Sequence, residues 1–185
     1  MSTSVVTTFF ALLALACFVV TVVGVGLAIA AKAGAGGQRA LDRFRTELEP
    51  VALWLTFAIA AVATAGSLWL SGGAGFTPCT LCWYQRIAMY PLALILGIAA
   101  WRRDVAVRVY VIPLAAIGAL VSCYHIVVER FPDLESSSCD PNNPCSLKWV
   151  EHFGFVTIPT MALAGFLAII TVLALLPTRV PRSDP

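Results

Sequence analysis

Five long uncharged runs divide the chain, at roughly 5–31, 51–70, 87–101, 109–128 and 157–176, and none contains Asp, Glu, Lys or Arg. A helix needs about 20 apolar residues to cross the hydrocarbon core of a bilayer. The third run is shorter, but the uncharged residues 82–85 and then Arg86 extend its helix at the start. No run alternates apolar with polar residues over about ten positions, as a strand of a membrane barrel does, so all five are predicted to be helices. Trp69, Trp83, Trp101 and Trp149 stand at or beyond the ends of runs, where amphipathic rings settle at a membrane interface. Two shorter segments carry apolar residues at helical spacing: 37–50 (GQRALDRFRTELEP), with Leu41, Phe44 and Leu48 on one face, and 147–153 (LKWVEHF), with Leu147, Val150 and Phe153. Each is predicted to lie on a membrane surface.

Composition agrees with this pattern. Of 185 residues, 59% are hydrophobic and 12% charged, against about 25% charged in a soluble domain. So few charges cannot cover a water-facing surface, which excludes a cytosolic enzyme, a disordered segment and a nucleic-acid binder. Twelve Lys plus Arg against ten Asp plus Glu leave +2, too little to imply a polyanionic partner. The chain reads as an all-α integral membrane protein, with the lipid bilayer as its surroundings.

Lys and Arg near span ends stay preferentially in the cytoplasm. Lys32, Arg39, Arg43 and Arg45 follow the first run, Arg102, Arg103 and Arg108 separate the third from the fourth, and Arg179 and Arg182 follow the fifth, so nine cations share one side. The other side holds Arg86, Arg130 and Lys148 beside Glu129, Asp133, Glu135, Asp140 and Glu151. Five spans put the termini on opposite sides, and the cations make this N-out, C-in. A cleaved signal peptide fits the first run less well, because MSTSVVTTFF carries no positive charge and the run is about twice the usual length.

The six cysteines are Cys17, Cys79, Cys82, Cys123, Cys139 and Cys145. On this topology Cys79 and Cys82 open the third helix on the outer side, and Cys139 and Cys145 lie in the second outer loop, where disulfides persist. They form two close pairs, CTLC and CDPNNPC. Three uses compete. As staples they would add little, since closing such short rings is worth about 2 kcal/mol by loop entropy. All four together have the ligand chemistry of a zinc site. A redox relay is favoured, because a C-x-x-C pair trades its disulfide with an incoming dithiol. Covalent haem is not indicated, since Trp83 and not His follows the pair.

Pro78 cannot extend the third helix backward, so Cys82 is expected in its first turn, where free N–H groups and the helix dipole favour a thiolate. Arg86, four residues on, shares that face; it either adds to this effect or snorkels to lipid headgroups. His125, near the outer end of the fourth run, is expected at similar depth. An ionisable side chain in a span is a functional candidate, against the plainer reading of an imidazole hydrogen-bonded within the bundle. Cys123 should point away from His125, and with Cys17 it is expected to be a buried thiol packing as a small apolar group. No carboxylate or lysine lies mid-membrane, so an ion-coupled path has no residues to use. Electrons collected on outer thiols then need an acceptor dissolved in the bilayer. A quinone suits, its head held by a cation and a hydrogen-bond donor, and Arg86 and His125 are of those types.

The run Pro78-Cys79-Thr80-Leu81-Cys82-Trp83-Tyr84-Gln85-Arg86, then Tyr124-His125, then Cys139 and Cys145, then Trp149 and Gly154-Phe155-Val156-Thr157-Ile158-Pro159, resembles the DsbB family of disulfide bond formation proteins. The resemblance covers residues 51–176 as a four-helix transmembrane redox core. Residues 1–50 then add one N-terminal transmembrane helix and a cytoplasmic linker, and 177–185 a cytoplasmic tail. It implies a protein-disulfide oxidoreductase of the bacterial cytoplasmic membrane. Such a protein reoxidises an extracytoplasmic thioredoxin-fold (DsbA-like) thiol oxidase and passes the electrons to ubiquinone or menaquinone. Carried over by position, Cys139 would form the mixed disulfide with the partner and Cys145 would pass oxidation on. Cys79 would connect the two pairs and Cys82 would face the quinone. Arg86 would bind the quinone and stabilise the thiolate, with His125 lining the same site; no metal is expected. Five residues separate Cys139 from Cys145, a short-loop form with DPNNP as a turn. The competing readings are a vitamin K epoxide reductase type, which places its C-x-x-C late in the bundle, and a non-enzymatic scaffold with two loop disulfides. An outward electron conduit would need paired cysteines reachable from inside, and Cys17 and Cys123 are each alone in their spans.

Overall fold

Each uncharged run folds as one helix. In the computed structural model, which describes residues 3–176, these are α1 (Thr3–Ala33), α3 (Ala52–Gly72), α4 (Thr80–Arg102), α5 (Arg108–Arg130) and α6 (Ile158–Leu175). All five are long and apolar enough to cross a membrane, and the protein is an all-α, multi-pass membrane protein. α4 begins at Thr80, so the third span does extend upward past Arg86. The short amphipathic segment forms α2 (Ala35–Leu48), whose Leu41 is buried against Ala31 of α1 and Leu175 of α6. Arg179 and Arg182, with the whole 177–185 tail, lie outside the described residues.

The segment 147–153 departs from expectation. It forms no helix; residues 151–157 instead make a small antiparallel hairpin of β1 (Glu151–His152) and β2 (Val156–Thr157). Three residues, 153–155, join the strands; the turn is closed by the Phe155 N–H on the His152 carbonyl at 3.2 Å, with Phe153 at φ 53° and Gly154 at φ 75° between them. Positive φ at both central positions is what a tight hairpin turn requires, and glycine adopts it without strain. Two apolar intervals of three residues were too short a signal to separate a helical turn from this bend.

α6 is the central helix, packed on α1, α3 and α5, while α4 packs between α3 and α5. Leu92 and Leu96 of α4, Val111 of α5, and Phe166, Ile169 and Leu173 of α6 are fully buried. Close approach relies on small residues, as is usual between helices in lipid: a Cβ on Gly118 of α5 would run into the Phe166 ring. Outward faces remain apolar, with Val22, Leu94 and Leu120 each about 70% exposed. Surface of this kind requires lipid around it. Cys123 is exposed on α5 and Cys17 half-buried on α1, so neither is the buried packing group expected. Their helix faces turn outward to lipid or to a cavity, where a thiol is tolerated as an apolar group.

The helices alternate in direction, so the start of α1, the start of α4 and both cysteine pairs share one end of the bundle. A hydrogen bond at 3.0 Å between Thr7 of α1 and His152 of the hairpin marks that end. The basic residues of α2 and the turn from α4 to α5 gather at the other end. There Arg108 donates to the Leu176 carbonyl at 3.0 Å.

Candidate active site

The chain enters α4 through Pro78, and Cys79 becomes the helix cap. Its sulfur accepts the backbone N–H of Cys82 at 3.3 Å, one of the donors that a helix start leaves unpaired. The Cys79 and Cys82 sulfurs are 3.0 Å apart as free thiols. With Cys79 ionised, the Cys82 thiol becomes its donor. This is the strongest influence on Cys79; helped by His125 and opposed by burial, it draws the Cys79 thiol from the ordinary cysteine range down to about 4. The expectation from sequence put the favoured thiolate on Cys82, in the first turn. The capping geometry puts it on Cys79, whose sulfur receives the Cys82 N–H.

In the loop between α5 and α6 Cys139 and Cys145 form a disulfide, their Cα atoms 6.0 Å apart. The intervening DPNNP is a turn: the Asp140 carboxylate accepts from the Asn142 backbone N–H at 2.9 Å, and the Asn143 N–H donates to the Asp140 carbonyl at 2.9 Å. Glu135 braces the loop, accepting from the Cys145 N–H at 2.5 Å and from the Ser146 hydroxyl at 2.8 Å. Cys145 is fully buried and Cys139 is 7% exposed.

The two pairs meet. Cys79, Cys139, Cys145, Leu81 and Val128 form one buried cluster, with Cys82 packed at its edge. The loop is tied to the start of α4 by two hydrogen bonds, Thr80 Oγ1 to the Ser138 carbonyl at 3.1 Å and Asn143 Nδ2 to the Pro78 carbonyl at 3.2 Å. His125 stands between the pairs. Its Nε2 is 3.0 Å from the Cys145 carbonyl and 3.7 Å from the Cys79 sulfur. A carbonyl only accepts, so Nε2 carries the hydrogen and points it at both; Nδ1 then accepts from Gln85 Nε2 at 3.3 Å.

Cys82 also lines a cavity of about 370 Å³. Arg86 lines this cavity too, donating to the Ser67 carbonyl of α3 at 2.9 Å and lying over the Trp83 ring at 5.2 Å. Tyr90 reaches the Ser67 hydroxyl at 3.2 Å. Phe76 and Trp149, which also line the cavity, stack at 5.1 Å between ring centres. His125 stands beside the cavity of Arg86 without lining it: its ring lies within 4.8 Å of the sulfur of Cys82, which does line it. Gln85 touches both the cavity and the imidazole.

Three residues of the site went unread in the sequence. Gln85 orients His125. Glu129, four residues after His125 on the same helix face, is buried and accepts from the Thr157 hydroxyl at 2.6 Å; the i, i+4 spacing was a usable signal. Glu135 had none, since its role depends on how the loop folds back. For metal, Cys79, Cys82 and His125 offer three ligand atoms within 4.8 Å of one another. The four-cysteine zinc site is not available in this state, because the loop sulfurs are bonded to each other.

The sequence model described as disulfide bond formation protein DsbB matches residues 49–176. The chain belongs to the DsbB family. Among similar proteins, disulfide bond formation protein C of Bacillus subtilis is 45% identical over 127 residues, covering 68% of this chain and 92% of that one. A probable disulfide formation protein C 2 of Bacillus anthracis is 44% identical over 119 residues, covering 64% and 85%. A probable disulfide formation protein of Oceanobacillus iheyensis is 43% identical over 129 residues, covering 69% and 88%. No solved structure matches the chain. This DsbB-family protein is thus a membrane thiol oxidoreductase with two cysteine pairs, and it has one long apolar helix more than the family's four.

Proposed function

We propose that the protein is a quinone-linked thiol oxidase that reoxidises a thioredoxin-fold dithiol protein on the outer face of a bacterial cytoplasmic membrane. The observation that carries this reading is the position of the C-x-x-C pair. Cys79 packs against the loop disulfide and His125, while Cys82, three residues on, lines the cavity with Arg86. One pair therefore faces both a thiol relay and an apolar chamber. The clustering of cations at the opposite end supports the orientation, N-out and C-in.

The first exchange takes place at the loop. A partner thiolate attacks Cys139, the less buried residue of the pair, and Cys145 leaves as a thiolate; the partner's second thiol then frees Cys139, so the partner leaves oxidised and the loop reduced. In the second exchange Cys145 attacks Cys79 of the oxidised helix pair and Cys82 leaves. Cys139 then attacks Cys145, re-forming the loop disulfide and releasing Cys79. The capping N–H and the His125 N–H receive the charge on the departing Cys79 sulfur. This exchange leaves the loop pair closed and the helix pair open.

The cavity residues suit a quinone, ubiquinone or menaquinone. The volume lies within the range of small-molecule sites, about 300–1,000 Å³. Its walls are mostly apolar, and polar groups near Cys82 include Arg86, Gln85 and Tyr90 of α4, Ser67 of α3 and Thr77 just before α4. A quinone bound there supplies the two-electron, two-proton acceptor that returns the helix pair to its disulfide. Arg86 orients the polar head, fixed in turn by Ser67.

Purified protein in detergent, given a reduced thioredoxin-fold dithiol and a short-chain quinone, is expected to reduce the quinone, followed by its absorbance. Cys82→Ser is expected to abolish turnover while the loop disulfide still exchanges once with the partner. Intact disulfides and no quinone reduction with several dithiol partners would replace the oxidase with the scaffold.

A further inference from the structure

α1 lies outside the residues that match the family, yet it forms one side of the cavity. Phe10, Leu13, Ala14, Cys17 and Val20 all line it. They recur every three or four residues, hence on one helix face, and extend over roughly 15 Å of the helix axis. α1 is held in place along its length. Beyond the Thr7–His152 contact, the Phe10 ring lies against Gly66 of α3, where a Cβ would meet it at 2.7 Å. Further along, Gly24 is so near α6 that a Cβ would meet the Thr171 methyl at 2.5 Å. α1 packs along α6, and α3 along α4 and α6. Phe10 thus reaches across the gap between α1 and α3 that the cavity fills. Val19, on the other face of α1, is 61% exposed and outside the lining.

The lining is divided by chemistry. Its polar side chains, Ser67, Thr77, Gln85, Arg86 and Tyr90 with the indole of Trp149, come from α3, α4 and the connecting segments, and α1 contributes hydrocarbon and a single thiol. A molecule with a polar ring and a long apolar tail matches this division, ring toward Cys82 and Arg86, tail along α1. We infer that the 10–20 face of α1 is the wall that binds the prenyl tail of the quinone. A helix outside the family core thereby sets which tails the site accepts. This rests on the quinone reading above.

Two measurements test it. In the first, a quinone with a photoreactive group in its prenyl tail is irradiated with the purified full-length protein, and adducts are mapped by mass spectrometry. Adducts within residues 10–20 that excess prenyl-quinone displaces are expected. Displaceable adducts confined to α3, α4 and α6 would overturn the inference, as would adducts on α1 displaced by phospholipid but not by quinone. In the second, Cys17→Phe narrows the chamber from α1, with Val19→Phe as the control on the lipid face. Cys17→Phe is expected to raise KM at least tenfold for a prenylated quinone. KM for a tail-less quinone, and single-turnover exchange with the dithiol partner, should be unchanged. Equal effects on tailed and tail-less quinones, or none on either, would remove α1 from the site. Failure of the unaltered protein to bind or reduce any quinone would instead remove the quinone reading itself.

Discussion

Cys79 owes its character to three neighbours at once: the N–H of Cys82 as helix cap, the Cys82 thiol at 3.0 Å and the His125 Nε2 at 3.7 Å. With its thiol drawn down to about 4, the thiolate is the form present at neutral pH, and it stabilises the reduced over the oxidised helix pair. The sign follows from the lowered value. The stabilisation is full above the ordinary cysteine range, shrinks as pH falls, and is gone below about 4. A helix pair favoured in its reduced state draws electrons from the loop pair, which is the direction the relay needs. In a Cys17→Ser, Cys123→Ser background, thiolate ultraviolet absorbance of the reduced protein is expected to titrate with an inflection near 4 for Cys79. His125→Ala should move that inflection upward and slow transfer between the pairs. An unmoved inflection would assign the effect to the cap and the Cys82 thiol alone. At this scale the sequence yielded the depth of His125 but not its bearing. Depth follows from position along a span, whereas the direction a side chain faces depends on how α5 is rotated against α4, which no local pattern encodes.

Among the elements, the helices were legible because an uncharged run of about 20 residues has one structure open to it in lipid. The hairpin was not, since residues 147–153 lie outside the bilayer and their fold is set by a tight turn at Phe153 and Gly154. The docking of the second loop on α4 was equally hidden, for it depends on contacts between residues about 60 positions apart. Helix association shows a further dependence that composition does not reveal. α5 and α6 approach over Gly118, with the Phe166 ring where a side chain would begin. Gly118→Val is expected to force the helices apart and lower stability by about 1–3 kcal/mol, the usual cost of overpacking. A fall in thermal unfolding temperature in detergent checks this, and an unchanged value would mean that the pair slides to accommodate the methyls.

For the molecule as a whole, polarity along the bundle axis organises function. Both cysteine pairs and the start of α1 lie at one end, and Arg39, Arg43, Arg45, Arg102 and Arg103 belong to the other. In cells whose native cysteines have been replaced by serine, a membrane-impermeant maleimide is expected to label Ser137→Cys directly and Glu47→Cys only after permeabilisation. The reverse pattern would invert the orientation and place the thiols in a reducing compartment, where the proposed relay has no partner to oxidise.

The contacts across the junction between the two pairs have one property in common. Thr80, Asn143 and His125 each send a donor to a main-chain carbonyl, those of Ser138, Pro78 and Cys145. Every residue has such an oxygen, so the receiving half of each contact survives substitution of Ser138 by any side chain that preserves the backbone path. The information for docking is therefore unevenly distributed, concentrated in the donors and in the spacing of the cysteines. Loop surface around Ser136–138 is left free to drift, so under the proposed relay a thiol partner meeting this loop would face side chains that the docking contacts do not fix.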